Sequence, residues 1–158
     1  MKTIAIVLGL VTAALSFAGN AASYDIKTPE EMVGDRCAPG DIIFRAETAN
    51  HKKEVLVCQW NTNVFYEFGK IAAQPELSLK KDNTEVKVMI HDDQYRSAEG
   101  LAFKNGNVTY HISFINNMDN GSQESYLLVY NNKTGKEMAN IALDPETVVN
   151  YIRSNFVE

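Results

Sequence analysis

Two apolar runs between Lys53 and Gly69, KEVLVCQWNTNVFYEFG, set the pattern for the rest of the chain. Val55 and Val57 alternate with Leu56, Cys58 and Trp60, so both faces of the first run are mostly apolar, as in a strand covered on both sides. That strand is expected at the centre of a sheet. Asn61-Thr62-Asn63 supplies turn residues, and Val64 to Phe68 return in β-branched and aromatic types before Gly69 breaks the run, which predicts a β-hairpin.

Shorter alternating runs flank the hairpin. Thr28-Pro29-Glu30-Glu31 offers an N-cap, a proline at the first helical position and acids in the first turn, which predicts one short helix ended by Gly34. The following strand is expected to place Ile42, Phe44 and Ala46 on one face and Ile43, Arg45 and Glu47 on the other, with Asn50-His51-Lys52 as the reversal into the hairpin. Pro75 to Lys81 and Glu85 to His91 alternate again, the second with Val86, Val88 and Ile90 on its apolar side. Polar loops are expected from Asp92 to Gly100 and from Asn116 to Gln123. Between them, Leu101 to Lys104, the hairpin signal Asn105-Gly106, and Val108, Tyr110, Ile112 and Phe114 on one face make a further strand pair. Tyr126 to Tyr130 is apolar on both faces, Asn131 to Gly135 is a turn, and Glu137 to Leu143 reads as the last strand. Asp144-Pro145-Glu146 then opens a C-terminal amphipathic helix, with Val148, Ile152 and Phe156 at helical spacing.

About eight or nine short strands at regular spacing, without long crossovers, predict a mostly β fold: an antiparallel sandwich or barrel with a short helix at each end. No repeat or linker divides it, so residues 24–158 read as a single β-rich domain.

The first 23 residues carry one lysine, an apolar core from Ile4 to Ala18 and small residues near Ala21 and Ser23, the pattern of a secretory signal peptide. The apolar run falls short of the roughly 20 residues that span a bilayer, so no membrane span is expected after cleavage. Periplasmic or secreted export follows. It bears on Cys37 and Cys58, the only two cysteines: in an oxidising compartment pairing is the default, and the alternative of a reactive thiol or metal ligand lacks a CxxC spacing or a nearby histidine. The chain has 15 basic and 20 acidic residues, a net charge of −5. Such a balance repels nucleic acid and attracts basic partners.

Catalytic patterns are missing. There is no GxSxG turn, no Gly-rich phosphate loop and no cofactor motif, and His91-Asp92-Asp93, the one cluster resembling a metal site, alternates in direction along an extended chain. The chain is therefore read as non-enzymatic and without cofactor or metal. Asn107, Asn120 and Asn132 match the glycosylation sequon and are read as turn formers. Long loops on a rigid sheet are where binding residues concentrate. The first such loop offers Asp92, Asp93, Tyr95, Arg96 and Glu99, mixing acids with two hot-spot residue types, and the second offers Met118 and Asp119.

The segments CAPGDIIFR from Cys37, KEVLVC, FYEFG, PEL and LAFKNGNVTYHI together resemble a group of small exported proteobacterial proteins of unassigned role. Members share a C-x-x-G-x-x-L-F start, a V-C strand, a Y-x-F-G return and an N-G-x-Y-x-Y hairpin. They often carry four cysteines, and here Ala46 and Ala142 stand where the additional pair would be. In size, export and disulfide-bonded β architecture the chain is also similar to periplasmic lysozyme inhibitors and to immunity proteins against secreted cell-wall enzymes, though their S-G-x-x-Y signature is replaced by Ser97-Ala98-Glu99-Gly100. These readings converge on a periplasmic protein that binds and neutralises another protein, a basic cell-wall hydrolase being the expected partner. The alternative is a β protein holding a small apolar ligand among Trp60, Phe65, Tyr66, Tyr110 and Tyr130.

Overall fold

The structure, a computed structural model, describes residues 28–156; the signal peptide expected over 1–23 lies outside them. Two five-stranded antiparallel sheets face each other across one core. In sheet A the order is β10-β1-β2-β3-β4, and in sheet B it is β5-β6-β7-β8-β9, so nearly every strand pairs with its neighbour in sequence. The strands are β1 (Asp41–Glu47), β2 (Lys53–Trp60), β3 (Asn63–Lys70), β4 (Leu77–Asp82), β5 (Lys87–Asp92), β6 (Arg96–Asn105), β7 (Val108–Asn117), β8 (Gln123–Asn131), β9 (Glu137–Leu143) and β10 (Val149–Asn150). The described residues thus form ten strands, against an expected count of about eight or nine.

The expected helix α1 (Pro29–Val33) forms under a capping box, with Thr28 accepting from the Glu31 N–H and the Glu31 carboxylate accepting from the Thr28 N–H, and it ends at Gly34. A 3-10 turn (Gly34–Cys37) carries the chain to the disulfide with Cys58 of β2. This N-terminal segment lies on the outer face of sheet A, where Val33, Cys37, Leu56 and Cys58 form a small second core flanked by Ile42 and Phe65. β2 is accordingly the third of five strands and buried on both faces from Glu54 to Cys58, as its sequence predicted.

β1 departs from simple alternation. A bulge between Ile42 and Phe44 puts Ile42 opposite Cys58 on the outer face, while Phe44 pairs with Val57 on the inner one. The extra residue, Ile43, also joins the inner core, so Ile42 does not share a face with Phe44 and Ala46.

Gly69 does not end β3, which continues to Lys70. Its role is proximity: a Cβ there would lie 2.7 Å from the Glu76 nitrogen and 3.0 Å from the Pro75 Cα, so only glycine lets the returning chain cross this close. The turn of the β6–β7 hairpin sits at Gly106, whose φ of 57° fits the positive-φ first position of a tight hairpin turn.

The C-terminal helix is shorter than its pattern predicted. Asp144 caps a 3-10 turn (Pro145–Thr147), Val149 and Asn150 then pair with Arg45 and Phe44 as β10, and α2 covers only Ile152–Phe156. The β-branched Val148-Val149 step gains more from a free edge of sheet A than from one helical turn. Val148, Ile152 and Phe156 nonetheless all reach the core, because a strand followed by a helical turn can bring the same residues inward.

The two sheets are stitched along one side. Thr48 bridges Leu143, the Ala49 N–H donates to the Ala142 carbonyl (2.9 Å), and the Asp144 N–H donates to the Glu47 carbonyl (2.8 Å). On the other side β4 passes to β5 through a 3-10 turn (Asn83–Glu85) without a ladder, so the architecture is a sandwich partly closed towards a barrel.

Candidate functional site

The loop expected over Asp92 to Gly100 is mostly strand. β6 begins at Arg96, and Ser97 to Gly100 pair with both β5 and β7, leaving a tight turn at Asp93 to Tyr95. Asp93 builds that turn: its carboxylate accepts from the N–H groups of Tyr95 (2.7 Å) and Arg96 (2.8 Å), which hold it below the ordinary aspartate range. The second loop shortens in the same way, since Asn116 still pairs with Gln123, and its turn runs from Met118 to Ser122.

These two turns meet. The Met118 N–H donates to the Tyr95 carbonyl at 2.8 Å, and Arg96 and Asn117 are direct partners across the β6–β7 ladder. Tyr95 and Met118 are 60 % and 61 % exposed, so an exposed ring and a flexible thioether are carried on two turns joined by that bond at one end of sheet B. Residues far apart in sequence, and candidates in separate loops, belong to one surface.

Not all of the candidate acids face outward from it. Asp92 and Glu99 point towards the C-terminal helix, where Arg153 Nη2 bonds both Asp92 carboxylate oxygens (2.8 and 3.0 Å) and its Nε donates to Glu99 (3.0 Å). Asn150 donates to the other Glu99 oxygen (3.0 Å). Hydrogen bonds from Ser97 and then Arg153 keep Asp92 below its ordinary value, and the bonds that Arg153 makes to Glu99 and then Asp92 push its guanidinium up. The two acids anchor the turn to α2. Asp93, Asp119 and Glu124 remain as exposed carboxylates around Tyr95 and Met118. With Asp92 and Glu99 they make five carboxylates against Arg96 and Arg153, a net negative end of the molecule.

His91 approaches Asp93 at 3.2 Å, but Asp92 turns away to Arg153, and no group of three or more metal-ligating side chains occurs among the described residues. The five aromatics read as lining one pocket do not all meet: Trp60 and Phe65 line a groove of about 270 Å³ beside the disulfide, Tyr66 and Tyr110 lie elsewhere, and Tyr130 is half-buried in β8. Trp60 is 48 % exposed, and Phe65 sits in the outer core beside the disulfide. Only Tyr66 and Tyr110 share the inner core, with centroids 5.7 Å apart, and Tyr66 also packs on Phe103 at 5.0 Å. Burial pushes the Tyr66 phenol far up, so it stays neutral.

A charged array that the alternation concealed lies on the outer face of sheet A. Arg45, 1 % exposed, bonds Glu54 through Nε (3.3 Å) and Nη2 (3.2 Å) and Glu47 through Nη2 (2.6 Å). Arg36 from the N-terminal segment forms a second, bidentate pair with Glu54, and the Ala72 N–H donates to it as well (3.2 Å). Burial would raise the Glu54 carboxyl, but Arg36, Ala72 and Arg45 outweigh it and hold it below the ordinary range. Glu47 behaves likewise, with His51 and Arg45 offsetting burial, and its hydrogen bond in turn raises His51. Arg45 and Glu54 share one face of apolar strands with Leu56 and Cys58, and that placement was the available signal for a buried pair.

Comparison of the chain with protein-family models, with curated proteins and with solved structures finds no match.

Proposed function

We propose that the protein is a non-enzymatic protein of the periplasm that binds and neutralises another protein, a basic cell-wall hydrolase, through the surface around Tyr95 and Met118. The observation that carries this reading is the 2.8 Å hydrogen bond from the Met118 N–H to the Tyr95 carbonyl, which fixes two exposed, adaptable side chains in one place. Tyrosine buries much area at low entropic cost, and methionine moulds to irregular partners. Asp93, Asp119 and Glu124 supply the surrounding negative charge that steers a cationic surface. Arg153, by holding Asp92 and Glu99, keeps the turn rigid before it binds.

Surface plasmon resonance against a panel of purified cationic lysozymes and secreted hydrolases tests it. One member should bind, and Tyr95→Ala should speed its dissociation about 30-fold, the equivalent of a 2 kcal/mol hot spot. Asp119→Asn should mainly slow association and flatten its salt dependence. Absence of binding across the panel, or wild-type rates for Tyr95→Ala and Met118→Ala together, overturns the proposal.

A further inference from the structure

Where β1 ends and the sheets are stitched together, a groove of about 470 Å³ opens beside the core. Phe68 of β3 and Ile141 of β9 form its floor, both at the margin of the inner core, and Ala49 and Ala142 add apolar wall. Lys52 and Lys53 stand at its rim. Its volume lies within the ~300–1,000 Å³ range of small-molecule sites, and its position between facing sheets is where β proteins commonly hold ligands. α2 closes the sandwich beside Ile43 at the other end of β1, through the Tyr151 N–H to Ile43 carbonyl bond (2.8 Å) and buried Ile152. The groove is the end left open.

Its two lysines differ. Lys53 Nζ bonds Glu76 at 2.6 Å and lies 5.5 Å from the centroid of the Phe68 ring, so its charge is already engaged over the apolar floor. Lys52, exposed in the turn, has no carboxylate within 4 Å among the described residues. An apolar trough with one uncommitted ammonium at its mouth matches a molecule with a single hydrocarbon tail and a single negative head. We propose that the groove binds a medium-chain fatty acid, its acyl chain along Phe68 and Ile141 and its carboxylate at Lys52. This site goes beyond the protein-binding reading and shares no residue with the Tyr95 and Met118 surface.

The carboxylate should sit at the rim, because transferring an unpaired charge onto the Phe68 floor would cost far more than it gains. Chain length should govern affinity, each methylene covered adding up to about fourfold.

Calorimetric titration of the mature protein with laurate, decanoate and dodecanol decides the matter. Laurate should bind saturably with one site per chain and tighter than decanoate by up to about fifteenfold, the ceiling for two methylenes. Lys52→Glu, a change at an exposed turn position, should weaken laurate about tenfold or more and leave dodecanol unchanged. Ala49→Trp, also at an exposed position, should fill the groove and abolish binding of both. Lack of saturable laurate binding, or wild-type affinity in both variants, overturns the site. Binding to phosphatidylglycerol vesicles with no uptake of free laurate also overturns it, since that would place the lysines at a membrane surface instead of a fatty-acid mouth.

Discussion

The outer faces of the two sheets are treated in opposite ways. On sheet A, the N-terminal segment is bonded to β2 through Cys37–Cys58 and covers Leu56, and beside it Arg36 pairs with Glu54, which in turn bonds the buried Arg45. On sheet B, the corresponding face carries Met89, Ala98, Ala102, His111, Ile115 and Leu128 in adjacent rows, all half-buried, with no element among the described residues laid across them. Burial of His111 pushes its pKa down, with the Lys87 charge adding to that, so the imidazole is neutral in this half-apolar row. The contrast shows how one chain meets two needs. A covered face can bury a charge array and hold one strand on both sides, whereas an uncovered face must be built of small and moderate side chains that neither demand a partner nor unfold without one.

Disrupting the covered face should have the largest effect. Glu54→Leu leaves Arg45 buried with one carboxylate instead of two and should destabilise by about 3 to 5 kcal/mol in chemical denaturation. Adding Arg45→Met should recover much of that, because the stranded charge then goes too. The same variant carries a pH signature. Glu54 and Glu47 are lowered in the folded state, so their contribution is present above the unfolded carboxylate pKa and is lost as pH falls through the folded values. Glu54→Leu should therefore unfold with a shallower acid dependence than the wild type. Unchanged stability would show that Arg36 and Arg45 find other partners.

Releasing the cover should come next. Replacing Cys37 and Cys58 together by serine opens a loop with sequence separation 21, and about 3 kcal/mol of stability should be lost. Hydrogen exchange would localise the loss: Leu56 and Cys58 amides should be affected before those of β7 and β8. Equal loss of protection in both sheets would mean that the segment supports the whole fold.

On the uncovered face the effects should be small. Ile115→Thr and Leu128→Thr, each half-exposed, should change stability by no more than about 0.5 kcal/mol. A loss above about 1.5 kcal/mol in either would reveal that something covers this face in solution, and the contrast between the sheets would fall.

Local physics made much of this chain legible. The capping box at Thr28, the Lys53 to Trp60 strand apolar on both faces, the Gly106 turn and the pairing of the only two cysteines are each written in neighbouring residues or in composition. What was misread depends on contacts distant in sequence. Polar residues at Arg96 to Glu99 look like loop because alternation of polar residues carries no strand signal, yet ladder partners on both sides, in β5 and β7, extend them. Val148 to Phe156 has the spacing of a helix, yet the free edge of β1 claims Val149 and Asn150. The candidate site divides along the same line. Tyr95 and Met118 could be named from residue type and loop context, but their adjacency arises only when β6 and β7 fall into register and bring both turns to one end. Sequence by itself determined the class of fold, the disulfide and the central strand, because propensity, periodicity and composition act over a few residues. Tertiary structure alone decided that Asp92 and Glu99 would turn to Arg153, that Arg45 would be buried beside Glu54, and that a groove would open at Lys52, because a charge's partner and a cavity's walls are set by segments that meet only after folding.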